Sequence, residues 1–227
     1  MSVIVYDHAL VDQIDVSMFD AAHWADAPEG HGTVAGRGAV AFIDVGDIKC
    51  VLRHYYRGGM IRHLVNDRFF WTGESRTRSF AEWRLLAQLQ GLALPAPQPV
   101  AARYVRRGAW YTADLVTRQI PGVRSLAARL ADAPLAEEVW HGVGALIRRF
   151  HDALVFHADL NAHNIQVTET ADCYLLDFDR GRIMSGAGNW SARNLARLHR
   201  SLEKIRRTGD AQFAAADWKA LRAGYGA

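Results

Sequence analysis

The apolar residues of this chain change their period near residue 120, and that change constrains the fold more than any other feature. Residues 34–56, VAGRGAVAFIDVGDIKCVLRHYY, are short apolar and β-branched stretches broken at Gly36, Gly38 and Gly46. They read as antiparallel strands joined by tight turns. Ser79 to Leu92 predicts a single helix, with Phe80, Trp83, Leu86 and Leu89 near helical spacing and the prolines of PAPQP as its stop. VAARYVRRGAWYTADLVTRQI returns to alternation, a hairpin about Arg107 and Gly108. Beyond Pro121 and Gly122 the repeat lengthens. Val139, Val143, Leu146, Ile147 and Phe150 fall on one helical stripe, and Leu195, Leu198, Leu202 and Ile205 on another. The pattern predicts an α+β chain: an N-terminal antiparallel β-sheet lobe with one helix over 1–116, and a small helical C-terminal lobe over 117–227. The chain is long enough, at 227 residues, for two small lobes sharing a cleft.

No run of eighteen apolar residues occurs and no basic segment leads into an apolar one, so neither a membrane span nor export is expected. Cys50 and Cys173 lie far apart without ligand spacing, which points away from a disulfide framework or a zinc site and towards a reducing compartment. Among 27 cationic side chains only Lys49, Lys204 and Lys219 are lysines. Arginine forks suit a phosphate-rich partner such as a nucleotide or an anionic lipid. No nucleic-acid-binding module accompanies these charges, so nucleic acid is not an expected partner.

The chemistry concentrates in HADLNAHNIQV, His157 to Val167. Asn164 follows Asp159 by five positions, and Asp177, in YLLDFDRG, follows it by eighteen. These spacings resemble the catalytic loop and metal-binding aspartate of the protein-kinase-like fold. By that resemblance the reaction is transfer of a phosphoryl group to a hydroxyl. It needs a carboxylate to accept the hydroxyl proton, here Asp159. It also needs hard oxygen ligands for Mg²⁺ on the nucleotide phosphates, and Asn164 and Asp177 supply an amide oxygen and a carboxylate. His157 would brace the loop rather than react. The intervening NIQVTETADCYLLDF, strand, turn and strand by pattern, would set Asn164 beside Asp177.

The resemblance implies ATP as donor with magnesium, and roles for further residues. Gly36 and Gly38 would form a reduced glycine-rich phosphate loop. Arg53, in CVLR, occupies the position of the family's strand lysine, a departure that leaves Lys49 as an alternative phosphate anchor on the same strand face. Glu82 on the lone helix would pair with that cation, and the segment holding Asp114 and Val116 would offer main-chain groups to an adenine. Only fifty residues follow Asp177 and DFD replaces DFG, which favours a small metabolic kinase over a protein kinase.

VLRHYYRGGMIRHLVNDRFFWTGESRTRSFAEW, with HADLNAHN and LLDFDRGR, is similar to the lipopolysaccharide kinases that act on the sugar Kdo. That family implies transfer from ATP to the 4-hydroxyl of Kdo on a lipid A precursor, with a peripheral position on the cytoplasmic face of the inner membrane. Arg53, Arg57, Arg62, Arg68, Arg76 and Arg78, interleaved with Tyr55, Tyr56, Phe69, Phe70 and Trp71, would suit an anionic sugar on a phosphorylated lipid. The basic helix RNLARLHRSLEKIRR is a second candidate for contact with an anionic membrane surface. No protein partner is indicated. Two other readings stay open: an aminoglycoside- or choline-type small-molecule phosphotransferase, and a pseudokinase-like module that binds nucleotide or lipid without turnover.

Overall fold

The computed structural model describes residues 1–20, 40–57, 67–209 and 212–226. Gly36, Gly38 and Arg62 lie outside these residues. The chain divides into two units, one of residues 1–87 with 97–119, the other of 88–96 with 120–227. Sequence reasoning set the division three residues earlier and kept 88–96 with the first lobe.

The first unit is an antiparallel sheet of six strands: β1 (Ser2–Tyr6), β2 (Val40–Val45), β3 (Ile48–His54), β4 (Phe69–Phe70), β5 (Pro99–Arg107) and β6 (Trp110–Arg118). Their order is β1-β5-β6-β3-β2, with β4 also paired to β6. Gly46 and Gly108 turn the β2–β3 and β5–β6 hairpins at φ 58° and 62°, values that exclude most side chains. Period-two alternation sends Ile43, Val45, Cys50 and Leu52 into a core with Val100, Ala101 and Val116. Burial lifts the Cys50 thiol to a pKa of about 12, so it is a packing residue rather than a nucleophile. Helix α1 (Arg78–Gly91) is the one helix that the sequence predicts among these strands.

In the second unit a short helix, α2 (Leu126–Asp132), is capped by the Ser125 hydroxyl, which accepts from the Ala128 N–H at 3.1 Å. α3 (Glu137–Asp152) buries Trp140, Val143, Leu146, Ile147 and Phe150, with glutamates in its first turn and Arg149 in its last as the helix dipole favours. Strands β7 (Val123–Ser125), β9 (Ile165–Thr168) and β10 (Cys173–Leu175) form a three-stranded sheet. β8 (Val155–Phe156) pairs with β11 (Arg182–Ile183). α4 (Trp190–Arg207) follows, and α5 (Ala215–Tyr225) closes the described chain.

α4 corrects one expectation. Its apolar stripe is not open to a bilayer, because Leu195, Leu198 and Leu202 are buried inside the unit. α5 was not foreseen: AADWKALRAGY has no sustained apolar period and holds Gly224. That glycine is why the helix docks. Gly144 of α3 and Gly224 of α5 are the points where the two backbones meet, and a Cβ at Gly144 would lie 2.6 Å from the Tyr225 nitrogen.

Candidate active site

HADLNAHN lies between β8 and β9, and its polar residues are joined into one frame. Asp159 carbonyl oxygen accepts from Asn164 Nδ2 at 2.9 Å and from Asn161 Nδ2 at 3.0 Å. Asn161 Oδ1 in turn accepts from the N–H groups of His163 and Asn164, an Asx turn that folds the loop back on itself. With its Nδ2 committed to the loop, Asn164 keeps Oδ1 for a ligand. β9 and β10 pair Ile165 with Leu175, and the Leu176 N–H donates to the Asn164 carbonyl at 2.8 Å. This register sets Leu176, the residue before Asp177, against Asn164, the approach that the strand–turn–strand reading predicts.

His157 is 2 % exposed. Its Nε2 lies 2.9 Å from the Leu176 carbonyl, and its Nδ1 accepts from the Asp159 N–H at 3.2 Å. Only a neutral ring protonated on Nε2 satisfies both contacts. Burial holds its pKa below the ordinary value, which agrees with that tautomer. The imidazole ties the strand before Asp177 to the loop of Asp159. Phe178 is fully buried, edge-on to His157 at 4.9 Å and tilted against Phe150 at 5.5 Å. Asp177 itself adopts φ 61°, left-handed backbone that costs about 1–2 kcal/mol in a residue with a Cβ. The Asp179 N–H reaches back to Asp177 Oδ1 at 3.4 Å.

Behind the loop runs a network that sequence reasoning missed. Asn194 of α4, 2 % exposed, donates from Nδ2 to the His157 carbonyl at 2.7 Å, and its Oδ1 lies 3.2 Å from His151 Nε2. His151 Nδ1 lies 2.9 Å from the Tyr225 hydroxyl of α5. The donors align in one direction: Tyr225 O–H to His151, His151 Nε2–H to Asn194, Asn194 to His157. A signal existed. Asn194 stands four residues after Trp190 and four before Leu198, a polar side chain on an otherwise apolar ladder.

Burial, the largest influence, also lowers the His151 pKa. Both imidazoles are therefore neutral when folded, whereas unfolded they titrate near 6.5. Below that pH the unfolded chain binds protons that the folded chain refuses. Stability is thus full above pH ~6.5 and falls as pH drops from there towards the folded pKa values. Melting temperatures taken from pH 8 to pH 5 should show the fall, and His151→Gln should flatten part of it.

In the first unit, β3 places Arg53 so that Nη2 donates to Glu82 Oε2 of α1 at 2.5 Å, the pair that the sequence predicts. Glu82 is 3 % exposed, and the Tyr55 hydroxyl donates to the same oxygen at 2.7 Å. Tyr55 is thus a core residue whose hydroxyl pKa is raised well above its ordinary value by burial and by Glu82. Lys49 shares the Arg53 strand face but is exposed, next to the β2–β3 turn.

Asp114 and Val116 require a correction. They lie inside β6, between β3 and β5, with Asp114 opposite His54 and Arg103 and Val116 opposite Leu52 and Ala101. Main-chain groups engaged in a central strand are not offered to a base. The Asp114 carboxylate instead accepts from Arg103 Nε at 2.9 Å and contacts His54 Nδ1 at 2.6 Å. The aromatic and arginine block also divides. Phe69 is buried and Arg78 stacks over it at 4.7 Å, whereas Phe70, Tyr56 and Arg68 are exposed.

A paired carboxylate and amide, a buried bracing histidine and a cation held by a helix glutamate define the class: a phosphotransferase of the protein-kinase-like fold. The profile described as the lipopolysaccharide kinase (Kdo/WaaP) family matches residues 21–225. The chain is 43 % identical over 224 residues to a 3-deoxy-D-manno-octulosonic acid kinase of Stenotrophomonas maltophilia (strain K279a), covering 98 % of this chain and 88 % of that protein. It is 43 % identical over 228 residues to the Xanthomonas oryzae pv. oryzae (strain PXO99A) protein of the same name. The one from Xylella fastidiosa (strain M12) is 42 % identical over 224 residues, with the same coverage in both cases. The chain belongs to the lipopolysaccharide kinase (Kdo/WaaP) family and is a kinase.

Proposed function

We propose that this chain transfers a phosphoryl group from ATP to the 4-hydroxyl of Kdo on a lipid A precursor, a step in building the lipopolysaccharide core. The names of its relatives support the sugar and the family description supports lipopolysaccharide, and the observation that carries the chemistry is the frame that holds Asp159 to Asn164 and Asn164 to Leu176, the residue before Asp177. Asp159 orients the attacking hydroxyl and takes its proton. Asn164 Oδ1 and the Asp177 carboxylate, both hard oxygen donors, fit Mg²⁺, and phosphate oxygens would complete its shell. Bound there, magnesium would neutralise charge on the nucleotide phosphates. Arg53, steadied by Glu82 and Tyr55, anchors those phosphates, with Lys49 as the alternative.

The acceptor is a lipid, so the kinase works as a peripheral protein at the cytoplasmic face of the inner membrane. No helix among the described residues is long and apolar enough to cross a bilayer. The first unit has a surface suited to the headgroup boundary. Phe70 is 59 % and Trp110 40 % exposed, their rings 5.8 Å apart, and Arg57 stands 5.6 Å from the Trp110 ring.

The test is transfer from ATP, with magnesium, to a Kdo-bearing lipid A precursor in detergent, run beside a panel of soluble alcohols. Product on Kdo upholds the reading, and transfer to a soluble amino alcohol alone replaces the acceptor. Binding of nucleotide without any transfer, seen as a thermal shift indifferent to magnesium, would make the chain a binding module. Arg53→Ala should lower kcat/KM on the order of 10²-fold, as loss of a phosphate-positioning group does. Near-normal turnover there, with the loss in Lys49→Ala, moves the anchor to Lys49.

A further inference from the structure

Between Asp159 and Asn164 the loop reads Leu160, Asn161, Ala162 and His163, with no arginine or lysine. The cation beside Asp159 comes from α4, where Arg197 donates to Asp159 Oδ1 from Nε at 3.1 Å and also from Nη2. Both nitrogens meet the same oxygen. An ion pair serving only to join two elements gains most when each nitrogen takes its own oxygen. Here Oδ2 receives no hydrogen bond among the described residues. The two side chains are also 49 % and 50 % exposed, where an ion pair adds little to stability.

The support beneath Arg197 is rigid. Leu198, the next residue, is fully buried, and Asn194, one turn earlier, grips the His157 carbonyl. One helix therefore sets both the loop that carries Asp159 and the guanidinium that meets it.

We propose that Arg197 is the positioning residue of phosphoryl transfer: it clamps Oδ1 so that Oδ2 is the oxygen presented to the acceptor hydroxyl. The inference rests on the function proposed above. In the step, the acceptor O–H bond breaks and its proton passes to Asp159 Oδ2. The freed oxygen pair forms the bond to the γ-phosphorus, and the bond from that phosphorus to its bridging oxygen breaks, releasing ADP. Arg197 keeps its protons throughout and acts through Asp159.

Steady-state kinetics on the full chain with the Kdo lipid and the soluble alcohols would compare the wild type with Arg197→Ala, Arg197→Lys and Asp159→Ala. Arg197→Ala should lose about a hundredfold in kcat, the scale of a misplaced reacting group. Its KM values for ATP and acceptor should hold within roughly threefold, its melting temperature should stay near that of the wild type, and millimolar guanidinium should restore part of the rate. Arg197→Lys should fall between, since an ammonium supplies the charge without the fork. Wild-type turnover in Arg197→Ala overturns the assignment, as does faster turnover, which would make the pair a restraint. A loss confined to KM, or one that tracks a fallen melting temperature, overturns it too. The same kcat pattern with a soluble alcohol upholds Arg197 and discards only the lipid acceptor. A wild-type chain that phosphorylates none of the acceptors defeats the proposed function and this inference together.

Discussion

Asp159→Ala should lower kcat by roughly 10³-fold, in the middle of the range for removing a positioned general base, the role proposed for it, while the protein stays folded. The two halves of that result rest on different observations. The carboxylate is half exposed and its partner Arg197 is a surface residue, so the lost pair costs at most about 1 kcal/mol of stability. The loop, by contrast, is held by the Asp159 main chain, whose carbonyl accepts from Asn161 and Asn164 and whose N–H donates to His157. Alanine keeps every one of these bonds, so the frame survives without its base. Rate measurements beside a melting curve check the separation. Wild-type turnover in a folded variant removes Asp159 from the mechanism, and a collapse in melting temperature shows that the carboxylate is structural.

Gly144→Ala gives the largest loss of stability. In an open helix the change would add about 0.5–1 kcal/mol of stability, because glycine is the poorer helix former. At this position the new methyl would stand 2.6 Å from the Tyr225 nitrogen and 2.9 Å from the Gly224 carbonyl carbon, backbone atoms that cannot turn aside. α5 must retreat from α3, at a cost of about 3 kcal/mol for an overpacked contact and about 6–12 °C in melting temperature for a chain of this size. Gly224→Ala should match it, since its Cβ would meet His141 Cα at 2.7 Å. Gly142→Ala on the same helix is the control. Its Cβ finds only Cys173 Sγ at 3.6 Å and the Ala171 oxygen at 3.7 Å, ordinary contacts, so it should be neutral or mildly stabilising. Equal melting temperatures for the alanine variants of Gly142 and Gly144 would remove the helix contact as the cause. Retreat of α5 also withdraws the Tyr225 hydroxyl from His151, so turnover should fall with stability.

The legible parts of this protein are those in which the proposed chemistry asks for a residue type at a short spacing. Asp159, Asn164 and Asp177 fall within one loop and one hairpin, and local hydrogen bonds set their geometry, so counting along the chain finds them. The Arg53–Glu82 pair was legible for a different reason: the strand and the helix are each announced by period, and the family resemblance pairs a strand cation with a helix glutamate. Asp114 and Val116 misled because the resemblance placed the adenine-binding segment by position along the chain, whereas Arg103 and His54 hold Asp114 in mid-strand. α4 left two readings open because a basic amphipathic helix reads alike whether its apolar side meets lipid or protein.

The sequence by itself determined the class of fold, the order of its elements and the short motif proposed to carry the chemistry, because periodicity and local spacing are properties of consecutive residues. Only the tertiary structure decided what surrounds that motif: Asn194 against His157, His151 against Tyr225, Arg197 on one oxygen of Asp159, and the glycine contact that docks α5. Each of these joins residues tens of positions apart. Their meeting depends on which helix face packs against which, and the local pattern of a chain does not record that.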